Sequence, residues 1–145
     1  YNGRYWPERI ESCHDEAVLS WLEDHLVLVP MFPRRPGCSV VEGKDITTAK
    51  VAALASAATR CWDTIMARDL QAFAAAFAAS FAAQVALFPA MMQPGVAEFI
   101  ELYRPTALAW KMLGAGGGGH LALVLPDGTE RTPEMIPVKI RRRGF

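Results

Sequence analysis

The chain has 145 residues, a size at which one domain can bury a continuous core. Its 15 basic and 15 acidic residues give a formal net charge of zero, so no overall field attracts nucleic acid or an anionic membrane, and neither is expected as a partner. The three cysteines contain no C-x-x-C pair, which predicts reduced thiols in the cytoplasm and no disulfide framework or zinc site. The basic run at 141–143 is interpreted as a solvated tail.

The first third of the chain predicts one helix and one strand. Residues 1–10 are rich in aromatic side chains and are expected to be extended. Apolar spacing predicts a short helix over 15–24, which Ser12 or Asp15 can cap. A buried strand follows at 26–30, and the prolines and glycines of residues 32–44 then predict a surface loop.

Two long helices are predicted next. Asp45 or Thr47 can cap the first, which runs to Ala67, and Asp69 can cap the second, which follows Arg68. Because almost no linker separates them, the two helices should pack as an antiparallel hairpin. The first is expected to share one apolar face among six residues: Val51, Leu54, Ala58, Cys61, Trp62 and Ile65.

The second long helix lies in a segment without charge, residues 70–97, that is long enough to be considered as a membrane span. Its alanine-rich composition and its two prolines favour a buried helix of a globular domain instead. The expected core stripe is Leu70, Phe73, Phe77, Phe81, Val85 and Phe88. Truncation of Phe77 to alanine is therefore predicted to cost roughly 3–5 kcal/mol.

The last third predicts one more helix and three strands. Pro94 suits the first turn of a helix that Pro105 ends. Residues 107–113 and 120–125 predict a β-hairpin, and alternating apolar residues predict a last strand at Ile136, Val138 and Ile140. Because helices and strands come in blocks, the prediction is an α+β fold, an antiparallel sheet covered by helices.

The predicted hairpin is closed by a loop with five glycines in six positions: Gly114, Ala115, Gly116, Gly117, Gly118 and Gly119. So many glycines indicate positive φ angles or close approach of another group, and successive N–H groups can form an anion-binding nest. The loop matches G-x-G-x-x-G, but a dinucleotide site requires a helix directly afterwards, and residues 120–126 are too short for one. The alternative is a tight turn whose glycines only let another domain's loop pack closely.

Two basic residues near this loop are candidate contacts for phosphate or sugar. Lys111 could reach a phosphate as a point charge, although a strand lysine more often faces solvent. Arg34 lies with Arg35 in a proline-bounded loop, where a guanidinium could grip a phosphorylated sugar bidentately; a solvated loop is the alternative.

The histidines predict neither a metal site nor a catalytic triad. His14 and His25 have no partner at ligand spacing, and none of the three histidines lies near a G-x-S-x-G elbow. His120 adjoins the glycines and could titrate near neutrality, but a packing role is favoured.

The string from Lys111 to His120, KMLGAGGGGH, followed by an apolar strand, resembles the third signature motif of the GHMP small-molecule kinases. This family is named for galactokinase, homoserine kinase, mevalonate kinase and phosphomevalonate kinase. Residues 26–37, the stretch around 61–63 and residues 84–91 resemble segments of its heptose 7-phosphate kinase branch. The resemblance therefore covers most of the chain.

The resemblance implies a ferredoxin-like C-terminal domain over residues 1–145, from a kinase that uses ATP and Mg²⁺ to phosphorylate a sugar or sugar phosphate. The family's N-terminal domain carries the ATP phosphate loop and usually an acidic catalytic residue, and this sequence contains neither. The chain also opens at Tyr1 without a methionine, as a fragment would. We therefore expect no catalytic residue and no metal ligand in this chain.

By the same resemblance, residues 114–119 would lie at the domain interface beside substrate and nucleotide. Replacement of Gly117 by valine should then impair activity more than folding. The alternative to the kinase is a stand-alone domain that binds a ligand or partner without chemistry.

Overall fold

The computed structural model describes residues 10–37 and 39–142. The predicted extended segment therefore lies, apart from Ile10, outside the described residues, as does Cys38. In the described part of the chain, four α-helices accompany one open antiparallel sheet of four strands, which confirms the α+β prediction. The elements are α1 Glu16–His25, β1 Leu26–Pro30, α2 Thr48–Ala67, α3 Leu70–Leu87, α4 Val96–Tyr103, β2 Ala109–Met112, β3 His120–Val124 and β4 Ile136–Pro137, with a 3₁₀ turn at Pro89–Met91.

The sheet has the order β2-β3-β1-β4, so the predicted hairpin of β2 and β3 is confirmed and β2 is an edge strand. The register places Lys111 of β2 and Leu28 of β1 on either side of Ala122 in β3. The prediction of a last strand reaching Ile140 is wrong, because only Ile136 and Pro137 pair with β1. Ile136 is exposed, and its neighbour Met135 is buried instead. The alternation of apolar residues therefore did not identify the side chain that enters the core.

The helix starts follow the predicted capping chemistry. Asp15 accepts a hydrogen bond from the amide of Ala17 at 2.8 Å, Thr47 caps α2 through the amide of Lys50, and Asp69 caps α3. Such oxygens satisfy amides that have no partner inside the helix. Pro94 does not lie in the first turn of α4; it belongs to the turn before, and the helix begins at Val96.

The two long helices form the predicted antiparallel hairpin. Arg68 ends α2 in the left-handed conformation with φ of 54°, and the amide of Asp69 donates to the carbonyl of Thr64 at 3.1 Å. At the far end, the Lys50 ammonium donates to the carbonyl of Ala86 at 3.0 Å. The start of α2 therefore lies beside the end of α3.

The core lies between the sheet and its helices, and the predicted stripe of α3 faces it. Phe73 and Phe81 are buried, and the other four residues of the stripe are partly buried and pack against the core: Leu70, Phe77, Val85 and Phe88. The apolar face expected on α2 reaches the core only in part: Cys61 and Ile65 are partly buried and pack against it, whereas Val51 is 48% exposed. Among the described helices, α3 alone is long and apolar enough to cross a membrane, and 33% of it is buried inside the protein.

The basic run near the C-terminus, predicted to be a solvated tail, differs from that prediction at Arg142. Arg141 is exposed as predicted, and Arg143 lies outside the described residues, but Arg142 forms ion pairs with Glu16 and Glu23 of α1, both at 2.5 Å. Glu23 also accepts a hydrogen bond from the amide of Ile140. The prediction is wrong for Arg142 because a composition rule for charge runs does not identify acidic partners more than a hundred residues away.

Candidate functional site

The glycine loop connects the edge strand β2 to β3, and the amide of Leu113 closes its base by donating to the carbonyl of His120 at 3.1 Å. All five glycines have positive φ angles, as predicted. Gly116, Gly117 and Gly118 are buried, whereas Gly114 and Ala115 are exposed. The loop therefore has an inner half packed on the protein and an outer half facing solvent.

Two of the buried glycines allow a close approach that no other residue would permit. A Cβ at Gly118 would lie 2.7 Å from the carbonyl oxygen of Phe32 and 2.8 Å from the amide nitrogen of Arg34. A Cβ at Gly116 would lie 2.6 Å from the Cε of Met91. The close packing that the glycines predict is thus present, and its partners belong to the same chain.

Hydrogen bonds fix the loop against these two segments. The amide of Gly117 donates to the carbonyl of Met91 at 3.0 Å, and the amide of Gly119 donates to the carbonyl of Phe32 at 3.1 Å. The amide of Met31 in turn donates to the carbonyl of Gly119 at 2.7 Å. Two of the amides expected in an anion nest are therefore occupied, whereas the amides of Gly114 and Ala115, in the exposed half of the loop, have no acceptor among the described residues.

Arg34 is the basic candidate that the structure brings to the loop. Its Nε donates to the carbonyl of Gly116 at 3.1 Å, and the residue is exposed. The hydrogen bond uses one N–H of the guanidinium fork, and the two terminal nitrogens have no acceptor among the described residues. The neighbouring Arg35 is also exposed, with no recorded contact to the loop.

Lys111 lies close to the loop in sequence, but its ammonium points elsewhere. Its Nζ donates to the Oγ of Ser80 on α3 at 2.5 Å, and Ser80 is only 5% exposed. Burial lowers the pKa of Lys111, and the nearby Cys61 opposes that shift; burial also raises the pKa of Cys61. The interpretation of Lys111 as a solvent-facing side chain is therefore wrong, and its contact with a phosphate stays a prediction.

His14 and His25 lie apart from the glycine loop. His120 adjoins the loop, but its exposure differs from what was predicted. It is exposed, so the packing role favoured from the sequence is wrong. Within residues 10–37 and 39–142, no group of three or more His, Cys, Asp or Glu side chains could hold a metal ion. His25 instead places its Nε2 2.8 Å from the carboxylate of Asp127 and its Nδ1 2.7 Å from the carbonyl of Trp21.

Sequence reasoning missed the side chains that support the loop from below. Met91 fills the space under Gly116, and a Cβ at Gly117 would lie 3.2 Å from Gln93 and 3.4 Å from Val40. The only local signal was the 3₁₀-prone run of Pro89 to Met91. Because Gly117 is buried against these side chains, a valine there is now expected to disturb folding as well as activity, which revises the earlier expectation.

The chain also has an apolar groove of about 580 Å³ between α3 and the edge strand β2. Three alanines of α3 leave space on one wall, and Trp110 closes the other. None of its lining residues belongs to the glycine loop: Ala78, Phe81, Ala82, Val85, Ala86, Met92, Leu108, Ala109 and Trp110.

No protein-family model matches this chain, and no curated protein matches it.

Proposed function

We propose that this chain is the C-terminal domain of a GHMP-type kinase that transfers a phosphoryl group from ATP to a sugar or sugar phosphate. Its ferredoxin-like arrangement, its place in the cytoplasm and the need for an N-terminal nucleotide-binding domain are parts of the same proposal. The observation that carries it is the hydrogen bond from the Arg34 Nε to the carbonyl of Gly116, which holds an exposed guanidinium at the glycine loop while its terminal nitrogens have no acceptor among the described residues.

The geometry at this point suits a phosphate. One hydrogen bond from its Nε to the carbonyl of Gly116, which follows the exposed Gly114 and Ala115 in sequence, holds the Arg34 guanidinium at the loop. A guanidinium fork and backbone N–H groups are strong donors to phosphate oxygens, and glycine adds no Cβ that would keep the oxygens away. The arrangement would orient substrate and neutralise charge, which is the protein's main contribution to phosphoryl transfer.

The same donor set does not suit Mg²⁺. Among the described residues, the side chains next to the loop belong to Arg34, Val40, Met91 and Gln93, and none of them is a carboxylate. Mg²⁺ requires oxygen ligands, usually carboxylates together with substrate phosphates. In the proposed kinase, the N-terminal domain would therefore supply the Mg²⁺ ligands and most of the ATP contacts, while this chain would hold a phosphate group.

Exposed apolar side chains near the loop support a covering domain. Eight large apolar residues are exposed in the described part of the chain, and five lie near the loop or near the end of α3 that leads into it: Val41, Ile46, Val51, Met92 and Leu113. Val41, Ile46 and Val51 lie near the end of α3 because the amide of Asp45, which is close to them in sequence, donates to the carbonyl of Leu87 at 2.9 Å. Apolar surface gathered in one region is typical of an interface with another protein unit.

The first test measures sugar-dependent ADP release by the chain alone and by a protein that joins it to a GHMP-type N-terminal domain. Residues 1–145 alone should show no turnover, because the loop that binds the triphosphate is outside this chain. Sugar-dependent turnover by the isolated chain would contradict the assignment of the catalytic machinery to the other domain.

The second test compares Arg34→Gln with Arg35→Gln in the two-domain protein. A lost hydrogen bond to a charged group costs about 1.5–3 kcal/mol, so Arg34→Gln should lower kcat/KM roughly 10- to 100-fold. Arg35→Gln is the matched control, since it removes the same charge from an adjacent residue without a contact to the loop. Equal effects of the two changes would show that only overall charge matters.

A second candidate function is a binding domain without chemistry, and the apolar groove beside β2 favours it. Its lining carries no charged side chain, which suits an apolar partner better than a sugar phosphate. If neither the isolated chain nor the two-domain protein turns over ATP, this alternative replaces the kinase.

A further inference from the structure

Lys111 occupies an unusual position for a strand lysine near a candidate phosphate site. It shares a face of the sheet with Ala109, because residues two apart in a strand point to the same side. Ala109 packs against Phe73 and Ala74 of α3, and the Lys111 ammonium meets Ser80 further along the same helix. The side chain therefore lies between β2 and α3, and α3 runs alongside β2 toward the glycine loop.

The contact with Ser80 ties the sheet to the helix at a buried point. A partly buried ammonium loses hydration, and a hydrogen bond to a buried hydroxyl recovers part of that cost. One helical turn further, Gln84 has a buried Oε1 without a hydrogen-bond partner among the described residues. Ser80 and Gln84 are four residues apart and so share one face of α3, which gives this helix a polar strip toward the loop.

The segment that follows α3 supports the buried glycines of the loop. After Leu87, the chain continues into the 3₁₀ turn that ends at Met91. Met91 packs under Gly116, and its carbonyl accepts the hydrogen bond of the Gly117 amide. The segment from α3 to Met91 therefore contacts the hairpin at two points. Lys111 makes the contact near the base of the loop, and Met91 makes the contact at the buried glycines.

Two attachments fix the position of α3 along β2. If the contact between Lys111 and Ser80 were lost, the remaining contacts between the helix and the strand would be mostly those of alanine and other apolar side chains, which are not directional. A small shift of the helix would move Met91, and with it the backbone of both glycines, because Gly116 packs closely on the Met91 side chain and the Gly117 amide donates to the Met91 carbonyl.

We propose that Lys111 is a positioning residue: through Ser80 it sets the register between α3 and β2, and through Met91 it holds the glycine loop in its anion-binding conformation. Lys111 thus acts on the substrate phosphate indirectly, and Arg34 is the basic side chain that contacts it. The inference rests on the proposed function only where it refers to phosphate. Its statement about the loop backbone holds for the isolated chain.

The test uses amide hydrogen exchange in residues 1–145 with the variants Lys111→Met and Ser80→Ala. Methionine keeps most of the apolar stem of lysine and removes the donor, and alanine removes the acceptor. Both changes should speed exchange of the Gly117 amide roughly tenfold, as expected for the loss of one hydrogen bond to a charged group. The double variant should exchange no faster than either single variant, because both remove the same contact.

Two controls separate this local effect from general destabilisation. The amide of Leu125, which donates to the carbonyl of His25 at 2.9 Å, lies at the opposite end of β3 and should keep its exchange rate. Ser80→Thr keeps the hydroxyl and should restore slow exchange at Gly117. If Ser80→Ala unfolds the chain, Lys111→Met and Lys111→Arg provide the same comparison without a change in α3.

The kinetic arm uses the two-domain protein and distinguishes positioning from direct contact. A positioning role predicts that Lys111→Met and Ser80→Ala lower kcat/KM by similar factors. If Lys111→Met lowers kcat/KM while Ser80→Ala and the Gly117 exchange rate stay unchanged, Lys111 binds phosphate directly and the proposal is overturned. If the exchange results hold but no kinase activity exists, the proposed function fails while the positioning of the loop stands; unchanged exchange in both variants would overturn the positioning itself.

Discussion

The two ends of the β2–β3 hairpin differ in how completely their charged side chains are paired. At the end next to α1, which we call the paired end, Arg142 pairs with Glu16 and Glu23, and Arg131 donates to the carbonyls of Glu23 and Asp24 that end the helix. At the loop end, Arg34 uses only its Nε on the protein. Charges that are fully partnered hold the fold together, whereas charges with spare donors are available to a ligand.

The two ends also differ in how the backbone is held. At the paired end, ion pairs join α1 to the C-terminal segment, and the contact between the rings of Trp21 and Phe73 joins α1 to α3. At the loop end, backbone lies directly on backbone, since Gly118 leaves no space between the loop and the carbonyl of Phe32. Substitutions at Phe73, Gly118 and Arg142 test this difference, and their expected effects decrease in that order.

The paired end should depend most on its aromatic core. Phe73 is 2% exposed and contacts Trp21 with ring centroids 6.0 Å apart. Phe73→Ala should therefore lower the free energy of unfolding by roughly 3–5 kcal/mol, measured by urea denaturation. Phe77→Ala is the matched control one turn away; because Phe77 is only partly buried, its loss should be clearly smaller than the sequence predicted. Equal losses would mean that the two rings are equally buried in solution.

The loop end should be most sensitive where backbone meets backbone. Gly118→Ala should cost about 2–4 kcal/mol, because it adds a clash to a strained conformation, with φ of 147°. Gly114→Ala is the control, since its φ of 64° is also strained but no atom lies within 4 Å of its Cβ. It should cost only about 1 kcal/mol. If thermal denaturation gives the same loss for both, the close approach contributes nothing.

The smallest effect concerns the ion pairs of the paired end. The Arg142 hydrogen bond lowers the pKa of Glu16, while the backbone amide of Ile140, followed by Arg142, lowers that of Glu23. A lowered pKa in the folded protein adds stability above the ordinary glutamate value, and this stability is lost as pH falls below it through the folded value. Unfolding experiments at decreasing pH should show a smaller decline for Arg142→Gln than for the original chain. Identical profiles would show that these pairs add nothing to stability, as is common for ion pairs at the protein surface.

Sequence alone determined those features whose causes are local. Asp15, Thr47 and Asp69 cap the helices as predicted, because a capping side chain acts within three residues of its own position. The five positive φ angles of the glycine loop were equally predictable, since few other residues adopt them readily. The β-hairpin and the helical hairpin followed from the short connections between their elements.

Only the tertiary structure decided which distant groups meet. Lys111 contacts Ser80, 31 positions earlier, and Arg142 contacts Glu16 across 126 positions, and neither pairing leaves a local trace in the sequence. The sequence predicted which aromatic residues of α3 face the core, but not how deeply each is buried: Phe73 is buried and Phe77 only partly so, because the depth depends on the elements that pack against the helix. The glycines showed that something approaches the loop closely, but a missing Cβ does not identify its neighbour. That neighbour is Met91 and the backbone of residues 32–34, which the fold supplies.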